Sequence, residues 1–289
     1  MTEQQALPIE IDSIVTDAVV EEYWERGYWR SPKLFDDEQI ELLRAAHERF
    51  WKRDLDSDNP SQYGLTQIDL NSAKVRQDCN GWWVNDEIRR AVTHPILGAI
   101  GARLMKVNTV RLWHDQVIYK PPQGDSGSAL GNIGWHQDYG YWQAASTTNM
   151  VTAWVALQDT DLHNGGMRTV VGSHKWGLIA DSDMFHTRDL EALAEKYAAE
   201  SGQEWLEEPC TLKAGEASFH HALTFHGSGP NQSDAPRLSV VAHMMPGDTT
   251  YVSGRQWHPN LVFLGPDAMD GTPFVGPYWP QMWPVDPSN

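Results

Sequence analysis

From Val107 to Met245 the chain is written in short β-rich runs separated by turn signals. No other feature of the sequence limits the fold as strongly. Thr109 to Tyr119 is β-rich and ends at Pro121-Pro122. Met150 to Leu157 (Met-Val-Thr-Ala-Trp-Val-Ala-Leu) reads as a buried strand. Asn164-Gly165-Gly166 is a hairpin turn signal, Met167 to Val171 the returning strand, and Gly172-Ser173-His174 its close. Ala214-Gly215-Glu216 is a further turn before the run Ala217 to Phe225, and Arg237 to Met245 is the last clear strand. Upstream the period is helical. A short strand is expected at Gly27 to Arg30. Asp36 and Gln39 then form a capping-box pattern, and Ile40, Leu43, Ala46 and Phe50 follow at helical spacing. Pro95 opens a helix to about Leu104, and residues 187–199 read as a polar helical insertion. Short strands with hairpin turns, preceded by helices, predict a mainly β domain with flanking helices, a double-sheet jelly roll or barrel. No linker divides the chain. One domain is expected over 1–289: mostly helical support over 1–105, the β core over 107–245, and a Pro- and Trp-rich wrap on the outside over 254–289.

The charge balance narrows the partners. Thirty-nine Asp and Glu against 22 Lys and Arg give a net charge of −17. That disfavours nucleic acid or an anionic membrane surface, although a local arginine can still hold an anionic small ligand. Two cysteines, Cys79 and Cys210, give no disulfide framework, and a reducing compartment fits. The start is polar and acidic and no long apolar run occurs, so a cytoplasmic chain is expected. The sequence carries no signal for an oligomeric state.

Chemistry enters at Trp135-His136-Gln137-Asp138-Tyr139. On a strand, side chains at i and i+2 share a face, so His136 and Asp138 project side by side. That pair supplies two members of a 2-His-1-carboxylate facial triad, the open site of non-haem Fe(II) oxygenases. Alone, it is a weak signal among twelve histidines. The second informative stretch is Phe219 to Asn231, where His226 ends a β-rich run at Gly227-Ser228-Gly229. Arg237 opens the next strand after a short polar connection, so its strand is expected beside that of His226. A guanidinium near a metal suits a dianionic 2-oxoacid. The metal chelates the keto-carboxylate end, and the arginine holds the distal carboxylate.

Taken together, these residues resemble the phytanoyl-CoA dioxygenase family of Fe(II)/2-oxoglutarate oxygenases. The resemblance runs from about Gly27 to Met245. It rests on Ile118-Tyr119-Lys120-Pro121-Pro122, His136-Gln137-Asp138, Asn164-Gly165-Gly166, Gly172-Ser173-His174, and His226-Gly227-Ser228-Gly229 with Arg237. It implies a double-stranded β-helix core, iron held by His136, Asp138 and His226, and 2-oxoglutarate anchored by Arg237 with help from Ser228. Gln116 and Trp154 match positions that contact the cosubstrate in relatives, and Lys74 matches another across a gap. The reaction implied consumes dioxygen, releases succinate and carbon dioxide, and hydroxylates an unactivated C–H bond of a small-molecule substrate. Related halogenases lack the carboxylate, so Asp138 points to hydroxylation or a desaturation-type outcome.

Trp135, Tyr139, Tyr141 and Trp142 flank the metal motif and are candidates for the substrate wall. About half are expected to face the substrate. The Gly- and Ser-rich stretch 123–134 is a candidate lid. His220, in phase with His226, is placed to approach the metal, and His221 is expected to face away. His174 is expected to hold its turn, and His114, His163, His186 and His243 are read as structural or surface. Two other functions use the same residues: a cupin-like metal hydrolase or isomerase, and a catalytically silent or regulatory β-helix binding protein. A hydrolase has no use for a 2-oxoacid anchor at Arg237, and drift in a silent homologue would be expected to lose one of the set.

Overall fold

A computed structural model describes residues 11–57, 74–124, 131–179 and 189–285. Residues 58–73, half of the candidate lid 123–134, and His186 lie outside the described residues.

The helices form where the local signals place them. Helix α1 (Ile11–Ile14) and α2 (Asp17–Arg26) lead into β1 (Tyr28–Arg30). Helix α3 (Asp37–Trp51) starts at its capping box: the Asp36 carboxylate accepts the Gln39 N–H at 2.9 Å, and the Gln39 side chain accepts the Asp36 N–H at 2.9 Å. Its residues Ile40, Leu43, Ala46 and Phe50 are buried. After β2 (Arg76–Cys79) come α4 (Asp86–Val92) and α5 (Pro95–Met105), the latter with Pro95 in its first turn. Helix α6 (Leu190–Ser201), capped by Asp189, is the expected insertion. No described helix is long and apolar enough to cross a membrane.

The strands make two antiparallel sheets. The larger runs β1, β8 (Ala217–His221), β5 (Val151–Ala156), β10 (Arg237–Pro246), β3 (Val110–Lys120) and β11 (Gln281–Trp283), with β2 on the remaining edge of β3. The smaller runs β4 (Ile133–His136), β9 (His226–Ser228), β6 (Met167–Val170) and β7 (Glu207–Pro209). Among the described residues no strand pairs from one sheet to the other, so the two form a jelly roll and not a closed barrel. The larger sheet is covered on both faces, which is why its strands alternate poorly in sequence. On β10, Val240, Ala242 and Met244 join the core beneath the helices, while Arg237, Val241 and His243 line a cavity on the other face. On β3, Val117 packs in that core and His114, Gln116 and Ile118 line the cavity. Trp113 is an extra residue there. Leu112 pairs with Met244 and His114 with His243, so a bulge resets the alternation beside the cavity.

Three expectations need correction. The run Ala217 to Phe225 is not one strand. It ends as β8 at His221, turns through Ala222–Phe225, and re-enters as β9 at His226 in the opposite sheet. Nor are the His226 and Arg237 strands neighbours: β9 lies between β4 and β6, and β10 between β5 and β3. The connection crosses from sheet to sheet, and both side chains reach the cavity from opposite walls. Third, residues 254–289 do more than wrap the outside. Phe274, Trp279 and Met282 are buried. Strand β11 extends the larger sheet, and Trp257, His258 and Pro259 line the cavity. This segment packs so closely on α5 that a Cβ at Gly98 would lie 2.8 Å from the Met282 backbone, which only glycine avoids.

Candidate active site

A cavity of about 760 Å³ separates the two sheets, and His136, Asp138 and His226 meet in its wall. His136 ends β4, and Asp138 opens a single 3-10 turn, not a strand. The intervening Gln137 keeps extended dihedrals (φ −115, ψ 126), so both side chains still leave the same face. The side-chain amide of Gln137 donates to the carbonyls of Gly177 and Leu223, each at 2.8 Å, and fixes this corner. His226 lies opposite His136 in the β4–β9 register.

The hydrogen bonds set the state of each group. The His136 Nδ1 lies 2.8 Å from the Gly134 carbonyl and the His226 Nδ1 lies 2.9 Å from that of Thr224. Carbonyls only accept, so each ring carries its proton on Nδ1 and turns its Nε2 lone pair toward Asp138. Thr152 donates its hydroxyl to Asp138 Oδ2 at 2.7 Å, which leaves Oδ1 toward the rings. That Oδ1 sits 3.7 Å from His136 Nε2 and 3.6 Å from His226 Nε2. Burial lowers both imidazoles below their usual range, which keeps them neutral. Burial would raise the Asp138 carboxyl, but His226, His220 and His243 around it hold it well below the usual carboxylate range. Two lone pairs and an anionic oxygen lie within 4.8 Å of one another. A divalent cation satisfies all three, and the donor set fits iron. His220 stands beside them, its Nε2 3.4 Å from Asp138 Oδ2.

Toward the other end of β10 the cavity holds a positive charge. Arg237 is buried, and burial lowers its guanidinium to about 10. Its only described hydrogen bond goes to the Ser239 hydroxyl at 3.3 Å, its Nε has no partner, and it lies 5.0 Å over the Trp154 ring. A buried cation without a carboxylate is costly unless an anion joins it. The distal carboxylate of a 2-oxoacid is such an anion. Ser228 lines the same end and accepts from the buried Lys120 Nζ at 2.6 Å, so its own O–H can turn to a ligand. Gln116, Trp154 and Lys74 also line the cavity.

The sequence profile of the phytanoyl-CoA dioxygenase family matches residues 23–239. The chain belongs to the phytanoyl-CoA dioxygenase family. The class expected from its motifs, a non-haem Fe(II)/2-oxoglutarate-dependent oxygenase, is the class of that family. It is 24% identical over 247 residues to the peroxisomal phytanoyl-CoA dioxygenase of Rattus norvegicus, an alignment covering 80% of this chain and 68% of the relative. Its fold is similar to that of SnoK, a non-heme alpha ketoglutarate dependent carbocyclase from nogalamycin biosynthesis. The TM-score is 0.70 at 23% identity, over 95% of this chain and 98% of SnoK. It is also similar to the epimerase SnoN in complex with Fe3+, alpha ketoglutarate and nogalamycin RO. That TM-score is 0.67 at 23% identity, over 92% of this chain and 98% of SnoN.

Within this family member the aromatic candidates separate. Tyr141 and Trp142 line the cavity. Trp135 and Tyr139 do not, and of the four candidates Tyr141 and Trp142 are the half that faces it. Trp135 alternates with His136 to the far face of β4, where it packs with Val170, Leu193, Tyr197 and Phe225. A Cβ at Gly227 would lie 3.2 Å from its indole. The Tyr139 hydroxyl donates to the Ala145 carbonyl at 2.9 Å. His221 faces away from the metal motif, against Trp24 and His174, and His174 ties its turn to the Trp24 carbonyl at 3.0 Å. The residues missed are His114, His243 and His258, all buried and all lining the cavity. The reading of His114 and His243 as structural or surface is therefore incomplete.

Proposed function

We propose that this chain uses Fe(II), 2-oxoglutarate and dioxygen to hydroxylate an unactivated C–H bond of a small molecule, with release of succinate and carbon dioxide. The observation that carries the reading is the pairing, in one cavity, of three converging lone pairs with a buried guanidinium that lacks an anion. Bound iron supplies, with the 2-oxoacid and dioxygen, an oxidant strong enough for such a bond. The chain's own residues do the rest. His136, Asp138 and His226 would hold the metal. Thr152 keeps Asp138 Oδ1 turned toward the rings. Arg237 takes the distal carboxylate of 2-oxoglutarate, Ser228 donates to it, and Trp154 covers the guanidinium and keeps water from it. Gln116 and Lys74 are assigned contacts with the same cosubstrate. The cavity wall confines the reaction away from solvent.

A cupin-like hydrolase would need the metal alone and would leave Arg237 as a buried charge without purpose. A silent binding protein would have no need for three preset lone pairs. The relatives are described with different molecules, phytanoyl-CoA in one name and bound nogalamycin RO in another, so the substrate has to be argued from this chain's own cavity. The reaction is tested with labelled dioxygen. One labelled atom should appear in succinate and one in the hydroxylated product, in equal amounts. Product formed without succinate, or with its new oxygen drawn from water, contradicts the reading.

A further inference from the structure

At the end of the cavity away from Arg237 three imidazoles lie in contact, with their rings tilted to one another. The ring centroids of His114 and His243 are 4.4 Å apart and those of His114 and His258 4.8 Å apart. Trp142 lies 4.7 Å from His243. They come from β3, from β10 and from the segment after Ser253, and only His114 falls within the family match over 23–239.

Their tautomers follow from their fixed partners. His114 Nδ1 lies 3.1 Å from the Asp115 carbonyl, so the proton is there and Nε2 is a lone pair. Thr152 gives its proton to Asp138, so its oxygen accepts from His243 Nδ1 at 2.8 Å, and His243 Nε2 is also a lone pair. Neither Nε2 has a hydrogen-bond partner, and both rings are buried. His258 is the reverse. Its Nδ1 accepts the Asn260 N–H at 3.2 Å, which places its proton on Nε2. The wall therefore offers two acceptors and one donor. A hydroxyl both donates and accepts and can answer each of them. A thioester carbonyl, carboxylate or phosphate only accepts, and would leave two buried lone pairs unanswered.

We propose that His114, His243 and His258 form a subsite for hydroxyl groups of the substrate, so that the substrate is an uncharged, hydroxylated molecule and not an acyl-CoA ester. The identification of this end as the substrate side rests on the oxygenase reading above. Charge supports the choice. Burial lowers His114 to about 4 and His258 well below the usual imidazole range, so neither offers a cation to a phosphate. Among the described lining residues the side chains of Lys and Arg are Lys74 and Arg237. Arg237 pairs with Lys120 at the far end of β3, and Lys74 precedes β2 beside that end.

The test uses metal-free protein carrying 15N-labelled histidine, with trans-cyclohexane-1,2-diol, its dimethyl ether and octanoyl-CoA as probes. The ether keeps the shape and the acceptors but has no hydroxyl proton. The diol should shift the Nε2 resonances of His114 and His243 saturably, and the other two probes should leave them in place. His114→Phe and, independently on the loop, His258→Phe should each weaken diol binding about tenfold. Neither should change 2-oxoglutarate binding to the Fe(II) protein. Equal binding of diol and ether, tighter binding of octanoyl-CoA at these rings, or no response to the diol overturns the proposal. The measurement needs no iron, so the two readings fail separately. Ring shifts without an Fe(II)–2-oxoglutarate complex would remove the oxygenase and keep the subsite. The complex without ring shifts would do the reverse.

Discussion

The two ends of the cavity are built on different principles. At one end a buried guanidinium stands without an anion beside Trp154 and Ser228. At the other, imidazoles held neutral by burial present lone pairs and one N–H beside Trp142. The first end suits one dianion and recognises it by charge. The second recognises shape and hydrogen-bond direction and takes no ion. The metal motif lies between them, on a corner fixed by Gln137 and Thr152. A cosubstrate common to a family can be held by residues inside the family match. The substrate end draws two of its three histidines from beyond residue 239.

The comparison can be broken at its centre first. His136→Ala, Asp138→Ala or His226→Ala should abolish turnover at both ends' expense, and iron content after gel filtration should fall with it. Full activity with unchanged iron in any of them removes the shared centre. Next in size is Arg237→Ala, which should raise the 2-oxoglutarate requirement by the roughly 2–5 kcal/mol associated with breaking a buried charge pair. The substrate affinity should be left alone, as read by cosubstrate titration at saturating substrate. An unchanged requirement would move the anchor elsewhere, Lys74 being the next candidate. Thr152→Val removes the hydroxyl that orients both Asp138 and His243, and about a 10–100-fold loss of iron affinity is expected in a competition titration. It is expected to disturb the metal centre and the histidine end together. Smallest is Ser228→Ala, which should weaken 2-oxoglutarate by about 0.5–1.5 kcal/mol, the contribution of one hydrogen bond, with no change at the histidine end.

This asymmetry also explains what could be read in the sequence. The capping box at Asp36 and the spacing of His136 and Asp138 are local, and local chemistry survives in one dimension; Asn164-Gly165-Gly166 is a turn as expected but not a hairpin, since β5 and β6 lie in different sheets. The Arg237 end was legible only in part: Arg237 and Ser228 sit next to punctuation, but the short polar connection to Pro236 suggested neighbouring strands where the chain crosses between sheets. The crossing from β8 to β9 was not. Ala222 to Phe225 contains no Gly or Pro, and burial in both sheets keeps the run apolar across the turn. The histidine end was illegible for another reason. His114 and His243 become neighbours only through the β3–β10 register and its bulge at Trp113. His258 arrives on a segment with no periodicity. Trp135 was misplaced by parity alone, since one step along β4 separates the cavity from the α6 side. Half of the expected lid at 123–134 lies outside the described residues.

The central claim is that one cavity holds a metal and, anchored by Arg237, a 2-oxoacid. The most direct measurement is an anaerobic titration of the Fe(II) protein with 2-oxoglutarate, followed by the visible charge-transfer band of the chelate. The account predicts a saturable band in the wild-type protein, its loss in Asp138→Ala, and its recovery in Arg237→Ala only at much higher 2-oxoglutarate. No band at any concentration, or a titration in Arg237→Ala that overlays the wild type, would contradict it.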